Sequence, residues 1–385
     1  MPSKKANRSS LPWDPFKEGR KPTRRYQHIS LFSGAGGSDI GLEYAGFETV
    51  FSNDIEEDAV ETYLHNNPKA RTYATCGDIT KLKLPRIKGS IDLLTAGFPC
   101  QPFSNAGSRK GTSDPRGKLY VRVMEIVNKY KPKVVMLENV RGITTSKHAG
   151  KPVIQIIMNH LKKLGYLTSF KLMDASNHRV GQRRLRLIIV GTRKKTHFTF
   201  PSEKPRDQLE IKYVLGAPQK GAPNSKDRVT LSPLTQRVID MVPIGGSWKD
   251  IPAHKLPPRF KKIRRQMERY HAPKFYRKFA KNEICGTMTA SFTPENSCIW
   301  NPCADKVMSV RDCARIQSFP DWYEFKGRNI RSMHKQIGNA IPPRLAYELG
   351  KRIRDHLKGK RTKSDARDYT PGEGTVVSGK HTFTY

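Results

Sequence analysis

Two residues carry the chemistry for which this sequence can be read. Cys100 sits in Gly97-Phe98-Pro99-Cys100-Gln101, just after the short apolar run Ile91-Asp92-Leu93-Leu94-Thr95. Such a run reads as a buried strand. Gly97 and Pro99 then end regular structure, so the thiol is delivered on a loop at a strand's carboxyl end, the edge where open α/β sheets bind ligands. A thiolate there is a nucleophile, although a free cysteine is as often a packing residue. The second residue is Glu138 of Glu138-Asn139-Val140, which follows the apolar run 133–137 to the same edge. A carboxyl group in an apolar pocket keeps its proton and can act as a general acid; at a strand end it can equally cap a helix or pair with a cation.

The elements that must position this pair alternate. His28–Phe32 reads as a strand, Ser33-Gly34-Ala35-Gly36-Gly37-Ser38 as a tight loop, and Ile40, Leu42, Tyr44 and Ala45 as the apolar side of a helix. Strand, glycine loop, helix lets the backbone approach a nucleotide-like ligand. The loop is neither GxGxxG nor a phosphate loop, since no Gly-Lys-Ser/Thr follows. A strand over Thr49–Ser52 ends at Asp54, which suits a ribose hydroxyl or the N-cap of a helix over 56–66. A third unit ends near Asp78. Helices over 118–130 and 151–164 and strands over 166–173 and 187–191 complete the pattern. It predicts an α/β fold with a doubly wound, mostly parallel sheet. The stretch 104–118, rich in Gly, Ser, Arg and Lys, is a long loop beside Cys100 and a candidate lid.

Lys and Arg number 71 against 34 Asp and Glu, a net charge of +37, which predicts a polyanionic partner and nucleic acid first. Six cysteines without a CxxC pair argue against disulfides and a zinc site. No run of 18 apolar residues and no hydrophobic leader occur, so a cytoplasmic protein without membrane association is expected. After 193 the character changes. Between 255 and 281 eleven Lys/Arg accompany one acid, Glu268, with Phe260, Tyr270, Phe275, Tyr276 and Phe279 interleaved. That mixture suits a nucleic-acid face, or a basic helix pair around its own small core. Gln336-Ile337-Gly338-Asn339 reads as a loop leading into a helix over 343–357. The expected organisation is a basic arm (1–25), a catalytic and cofactor-binding domain (26–193), a smaller irregular recognition domain (194–305), a return to the catalytic domain (306–357) and a loose tail (358–385).

Taken in order, Leu31-Phe32-Ser33-Gly34-Ala35-Gly36-Gly37, Gly97-Phe98-Pro99-Cys100-Gln101-Pro102-Phe103-Ser104, Glu138-Asn139-Val140, Gln182-Arg183-Arg184-Leu185-Arg186 and Gln336-Ile337-Gly338-Asn339 resemble the motifs of the DNA (cytosine-5) methyltransferases, of the prokaryotic modification type. The resemblance implies an S-adenosylmethionine-dependent methyltransferase fold with S-adenosylmethionine held by Phe32, Gly34, Gly36, Asp54, Asp78, Pro99, Leu119 and Asn339. The residue after the ribose-binding acid, often aromatic in the family, is Ile55 here. It implies Cys100 as the nucleophile at carbon 6 of a flipped-out cytosine, Glu138 at nitrogen 3, Arg186 at oxygen 2 and Arg184 near the flipped nucleotide's phosphate. Gln101, Ser104, Arg109, Arg116, Asn139 and Thr287 are implied contacts to substrate or DNA. A monomer acting on double-stranded DNA, in the nucleoid and beside a separate cognate restriction endonuclease, is the expected setting. An RNA (tRNA) cytosine-5 methylase and a catalytically silent DNA-binding relative are the rival readings.

Overall fold

A computed structural model describes residues 25–99, 115–216, 221–265, 275–360, 375–378 and 381–384. Cys100, Gln101, Ser104 and Arg109 lie outside the described residues, as does the side chain of Arg116. Seven strands form one sheet in the order β3-β2-β1-β4-β5-β9-β8. They are β1 (Tyr26–Leu31), β2 (Phe47–Asp54), β3 (Ala74–Cys76), β4 (Leu93–Ala96), β5 (Val134–Val140), β8 (Leu167–Asp174) and β9 (Leu185–Thr192). Pairings from β3 through to β5 are parallel; β9 runs antiparallel to both of its neighbours. The sheet is therefore mostly parallel, as expected. Two-residue strands β6 (Lys147–His148) and β7 (Lys151–Pro152) form a separate hairpin.

Alternate residues enter opposite cores, the period of a pleated strand. Leu94, Val135, Leu137, Leu187 and Ile189 pack on one face with α3 (Pro115–Tyr130) and α4 (Val153–Lys163). Leu93, Val134, Met136, Ile188 and Val190 pack on the other with α1 (Gly37–Ala45) and α10 (Pro343–Leu357). Burial on both faces explains why these strands read as continuous apolar runs. Helix α2 (Glu57–Asn66) follows β2.

The described residues of 194–305 form short helices, among them α5 (Ile211–Val214), α6 (Pro233–Met241) and α7 (Pro258–Arg265), and the strand β10 (Trp300–Asn301), which pairs with β11 (Lys306–Val307). Trp248, Phe260 and Tyr276 are buried here, so these aromatic side chains form a core rather than a stacking surface. The chain then re-enters the main body through α8 (Val310–Ile316), α9 (Ile330–Asn339) and α10.

The structure corrects two expectations. Gln336-Ile337-Gly338-Asn339 is the last turn of α9, not a loop. The break falls later, where Pro342 disfavours a helical conformation for the residue before it. The tail contains an antiparallel pair, β12 (Thr375–Ser378) with β13 (His381–Thr384). No helix among the described residues is long and apolar enough to cross a membrane.

Helix α1 lies so close to α10 that small residues are obligatory. A Cβ on Gly41 would strike the Pro343 carbonyl, and one on Gly350 would lie 2.7 Å from the Ala45 Cβ. Gly41→Ala gains about 1 kcal/mol of helix propensity, but overpacking costs about 1–3 kcal/mol, and a backbone oxygen cannot move aside like a rotamer. Urea unfolding is expected to show net destabilisation. Gly142→Ala, where a Cβ meets nothing within 4 Å, should stay near wild type.

Candidate active site

Strand register brings the predicted residues to one edge. Leu31 lies opposite Asn53 on β2 and Ala96 on β4, and Ala96 lies opposite Leu137 on β5. The residues that follow, Phe32, Asp54, Gly97 and Glu138, therefore emerge side by side.

The glycine loop is held from three directions. The Gly34 N–H donates to Asp54 Oδ2 at 2.7 Å, and the Ser33 N–H to the Asn53 carbonyl at 3.0 Å. The Glu56 N–H donates to the second Asp54 oxygen at 2.9 Å, so Asp54 braces both the loop and the turn that enters α2; burial pushes its carboxyl upward in pKa. From the return segment, the Tyr323 hydroxyl donates to the Ala35 carbonyl. Gly36, with φ of 76°, leaves room for the Tyr63 ring, which a Cβ would strike.

This cradle fits an adenosyl group. Gly34 opens onto free space, since a Cβ there would meet nothing within 4 Å. Ile55, beside Asp54, is 63% exposed, an apolar side chain turned outward. Phe32 is half-buried. Asp78 spends one oxygen on the Thr80 N–H and hydroxyl, at 2.9 and 2.8 Å; these donors hold its carboxyl below the usual range. Leu119 packs on the α3-side core, Pro99 is exposed, and Asn339 is exposed at the end of α9. The Ile341 carbonyl lies 2.6 Å from where a Gly37 Cβ would stand, so the residues just after Asn339 press on the glycine turn.

At the centre of the edge, Glu138 Oε1 lies 2.7 Å from Arg186 Nε, with the two side chains only 13% and 12% exposed. The expected apolar pocket is thus replaced by an ion pair. It forms because β9 runs backwards. Arg186 stands opposite Val140, and the reversed strand begins at the edge where β5 ends. The other Glu138 oxygen is 3.4 Å from a Cβ built on Gly97, so a side chain there would crowd the carboxylate. Asn139, implied as a substrate contact, is buried; its amide donates to the Phe98 carbonyl at 3.1 Å and its oxygen accepts from the Val140 N–H. It ties β5 to the loop two residues before Cys100.

Arg184 is corrected. It is fully buried and donates to the carbonyls of Met288, Gly338 and Ala340 at 2.6, 2.7 and 3.1 Å. Burial drives its pKa well down, and a phosphate would have to displace main-chain acceptors. It is a structural clamp. Thr287 is half-buried, and its hydroxyl donates to the Arg183 carbonyl at 2.7 Å. The neighbouring Met288 N–H donates to Gln182 Oε1 at 3.1 Å.

A buried polar network beneath the loop escaped the sequence reading. Asp39 accepts from Ser30 and Thr49, at 3.0 and 3.2 Å. Thr49 has one proton and gives it to Asp39, so His28 Nδ1 must donate to Thr49 and His28 Nε2 accept from Thr95. The imidazole is neutral, and burial holds it down at about 3. Asp39 is pushed up to about 6 by burial. The only signal was an acid beside Ile40 at the start of an apolar helix pattern.

A strand–glycine loop–helix cradle, an acid at the tip of β2 and a sheet with one reversed strand define the S-adenosylmethionine-dependent methyltransferase class. The profile described as C-5 cytosine-specific DNA methylase matches residues 26–355. The chain is 33% identical over 349 residues to the Type II methyltransferase M.PspPI of Psychrobacter sp., covering 86% of this chain and 80% of that one. It is 32% identical to M.Sau96I of Staphylococcus aureus, covering 88% and 77%. Among solved structures it resembles in fold the S. pombe Dnmt2 methyltransferase (TM-score 0.60, 19% identity, 86% of this chain and 99% of that one). The Entamoeba histolytica methyltransferase EhMeth is also similar (TM-score 0.61, 15% identity, 87% and 99%). The chain belongs to the C-5 cytosine-specific DNA methylase family. It transfers a methyl group from S-adenosylmethionine to cytosine in DNA.

Two outcomes are expected. Arg184→Ala leaves the buried carbonyls of Met288 and Gly338 without their donor, while Ala340 keeps Gln317, so at about 1–3 kcal/mol for each unsatisfied group it should cost about 2–5 kcal/mol. Denaturant midpoints should fall, while the salt slope of DNA binding stays the same, because no phosphate contact is lost. The second concerns pH. From pH 6.5 down towards 3, His28 takes up a proton only in the unfolded chain, so stability falls. From about 6 down to 3.8, Asp39 takes one up first in the folded chain, so stability rises. Asp39→Asn removes the rise. Its loss of unfolding free energy between pH 7 and pH 4 should exceed that of wild type by about 3 kcal/mol.

Proposed function

We propose that Cys100 and Glu138 carry the reaction on a cytosine flipped out of a specific duplex sequence. The observation that supports this is the edge itself. The loop entering Cys100 is tied to β5 through Asn139 and Phe98, beside a Glu138 carboxylate already oriented by Arg186. Carbon 5 of cytosine is a weak nucleophile. Addition of the Cys100 thiolate to carbon 6, with nitrogen 3 taking up a proton or hydrogen bond from Glu138, makes the ring an enamine. When bound, S-adenosylmethionine supplies the electrophilic methyl group. Loss of the carbon-5 proton to water or another base then lets the sulfur–carbon 6 bond break, which returns the thiolate, and nitrogen 3 gives its proton back to Glu138. Arg186 can hold oxygen 2 of the base while fixing Glu138. Phe32, Gly34, Asp54, Asp78, Pro99, Leu119 and Asn339 hold the cofactor; Gln101, Ser104, Arg109, Arg116 and Thr287 contact the substrate strand. Gly36 shapes the loop.

Base flipping costs a few kcal/mol; most of the candidate lid, 101–118, lies outside the described residues. Residues 194–305 read the target sequence. Relatives named as Type II methyltransferases support a modification role beside a separate restriction endonuclease, for a monomeric protein of the cytoplasm that sits on nucleoid DNA.

Duplex DNA with 5-fluorocytosine at the target should trap the protein covalently, because fluorine cannot leave carbon 5 as a proton does. Cys100→Ala should give no adduct and at least about a 10³-fold lower methylation rate, in keeping with the loss of a nucleophile, while still retaining DNA in a mobility-shift assay. An adduct formed by Cys100→Ala would reject the assignment.

A further inference from the structure

Helix α7 has two unlike sides. One is bolted down. Phe260 is buried against Trp248 and Tyr276, with ring centroids 5.6 and 5.2 Å away. Arg264 donates to the carbonyls of Trp248, Lys249 and Ile251, at 3.4, 2.6 and 3.0 Å, and lies over the Trp248 ring. The other side is cationic. Arg259, Lys261, Lys262 and Arg265 are exposed, and none has a carboxylate within ion-pair distance among the described residues. An open groove of about 520 Å³ runs between Pro258, Lys261, Lys262 and Arg265. The sequence holds no acid from Ile251 to Met267.

Helix stability does not account for this arrangement. Cations in the last turn favour the macrodipole, but Arg259 and Lys261 stand in the first half, where the positive end opposes them. Neighbouring like charges also repel. What compensates such a row is a polyanion with evenly spaced charge. Phe260 and Tyr276, two of the aromatic side chains that would have stacked on bases, are instead buried, and the long, exposed side chains of α7 have no fixed donor geometry for base edges. On the reading of the chain as a DNA methyltransferase, we propose that α7 is a sequence-independent clamp on the phosphodiester backbone of duplex DNA. Lys261, Lys262 and Arg265 supply affinity and no base discrimination.

The triple variant Lys261→Gln/Lys262→Gln/Arg265→Gln tests this, with Lys83→Gln/Arg86→Gln/Lys88→Gln as a control. The control residues line a separate groove against β2, and their loss changes the net charge equally. DNA affinity is measured by fluorescence anisotropy from 50 to 300 mM salt, on a duplex the enzyme methylates and on one it does not. Each phosphate contact contributes about 0.9 to the slope of log K against log salt. The α7 triple is expected to lower the slope by about 2–3 and to weaken both duplexes by the same factor, while the control keeps the wild-type slope. Cofactor binding by calorimetry should stay at the wild-type value, showing an intact fold. If the triple does not fold, Lys261→Gln and Lys262→Gln alone should each lower the slope by about one. An unchanged slope, an equal change in the control, or a loss confined to the methylated duplex would overturn the proposal. Wild-type failure to methylate any duplex would overturn the enzymatic reading instead, independently of the slopes.

Discussion

One buried guanidinium holds the molecule's three parts in register. Arg184 leads into β9, yet its donors end on Met288, in the irregular region, and on Gly338 and Ala340, in the return segment. A charge with no access to water is tolerated only where acceptors replace its hydration. Main-chain carbonyls do so here, and they cannot be supplied unless all three stretches are in place. Gln182 and Gln317 extend the same junction: Gln182 bonds Met288 and Gln317, and Gln317 donates to Ile337 and Ala340 at 3.0 and 2.7 Å. Gly338 completes it, because any Cβ there would strike the Thr289 carbonyl. Misplacing one strand end would therefore leave several polar groups unpaired at once.

The junction matters because of how the chain is threaded. Residues 194–305 depart after Thr192, which pairs with Val134 at the far edge of the sheet from the reacting groups. By Cys285 the chain is back at the near edge, bridged to Gln182. Attached only where it leaves β9, this stretch would sit one strand length, about 20 Å, from Glu138. Strapping Cys285–Met288 to the first residues of the reversed strand puts it beside Arg186, and so beside Glu138. The antiparallel strand thus has two uses, bringing a cation to a carboxylate and giving the inserted region an anchor at the working edge.

The strands and the site edge were legible because burial on both faces writes itself as apolar runs, and because loops after such runs in parallel strands must share an edge. That logic placed Phe32, Asp54, Gly97 and Glu138 correctly. It failed where a side chain's role depends on pairing across distant segments. Nothing local distinguishes Arg184 from Arg186 two residues later, a spacing that shares one face within a strand; Arg184 stands before β9 begins and turns to carbonyls, whereas Arg186, inside β9, meets Glu138. Gly338 read as a loop because glycine is a poor helix residue, whereas tertiary contact with Thr289 demands it inside a helix. Aromatic residues among cations suited either a nucleic-acid surface or a small core; composition cannot say which of them turn inward, and Phe260 and Tyr276 did.

The glycine loop shows why the return segment is needed at all. Left-handed turns at Phe32, Gly34 and Gly36 cost backbone entropy and strain, and persist only where surroundings over-determine them. Asp54 fixes the loop from β2, but its far side has no strand neighbour. Tyr323 supplies a hydroxyl to Ala35, and Ile341 closes against Gly37. Tyr323 itself is held because Arg311 donates to its carbonyl and Phe319 and Phe325 pack on its ring. Beneath, the neutral His28 and its hydroxyl neighbours fill the polar space without placing a fixed cation under a cofactor that is itself cationic at sulfur. The cradle is therefore built from both ends of the described chain, and its shape is secured only when the segment after residue 305 has folded back onto α1.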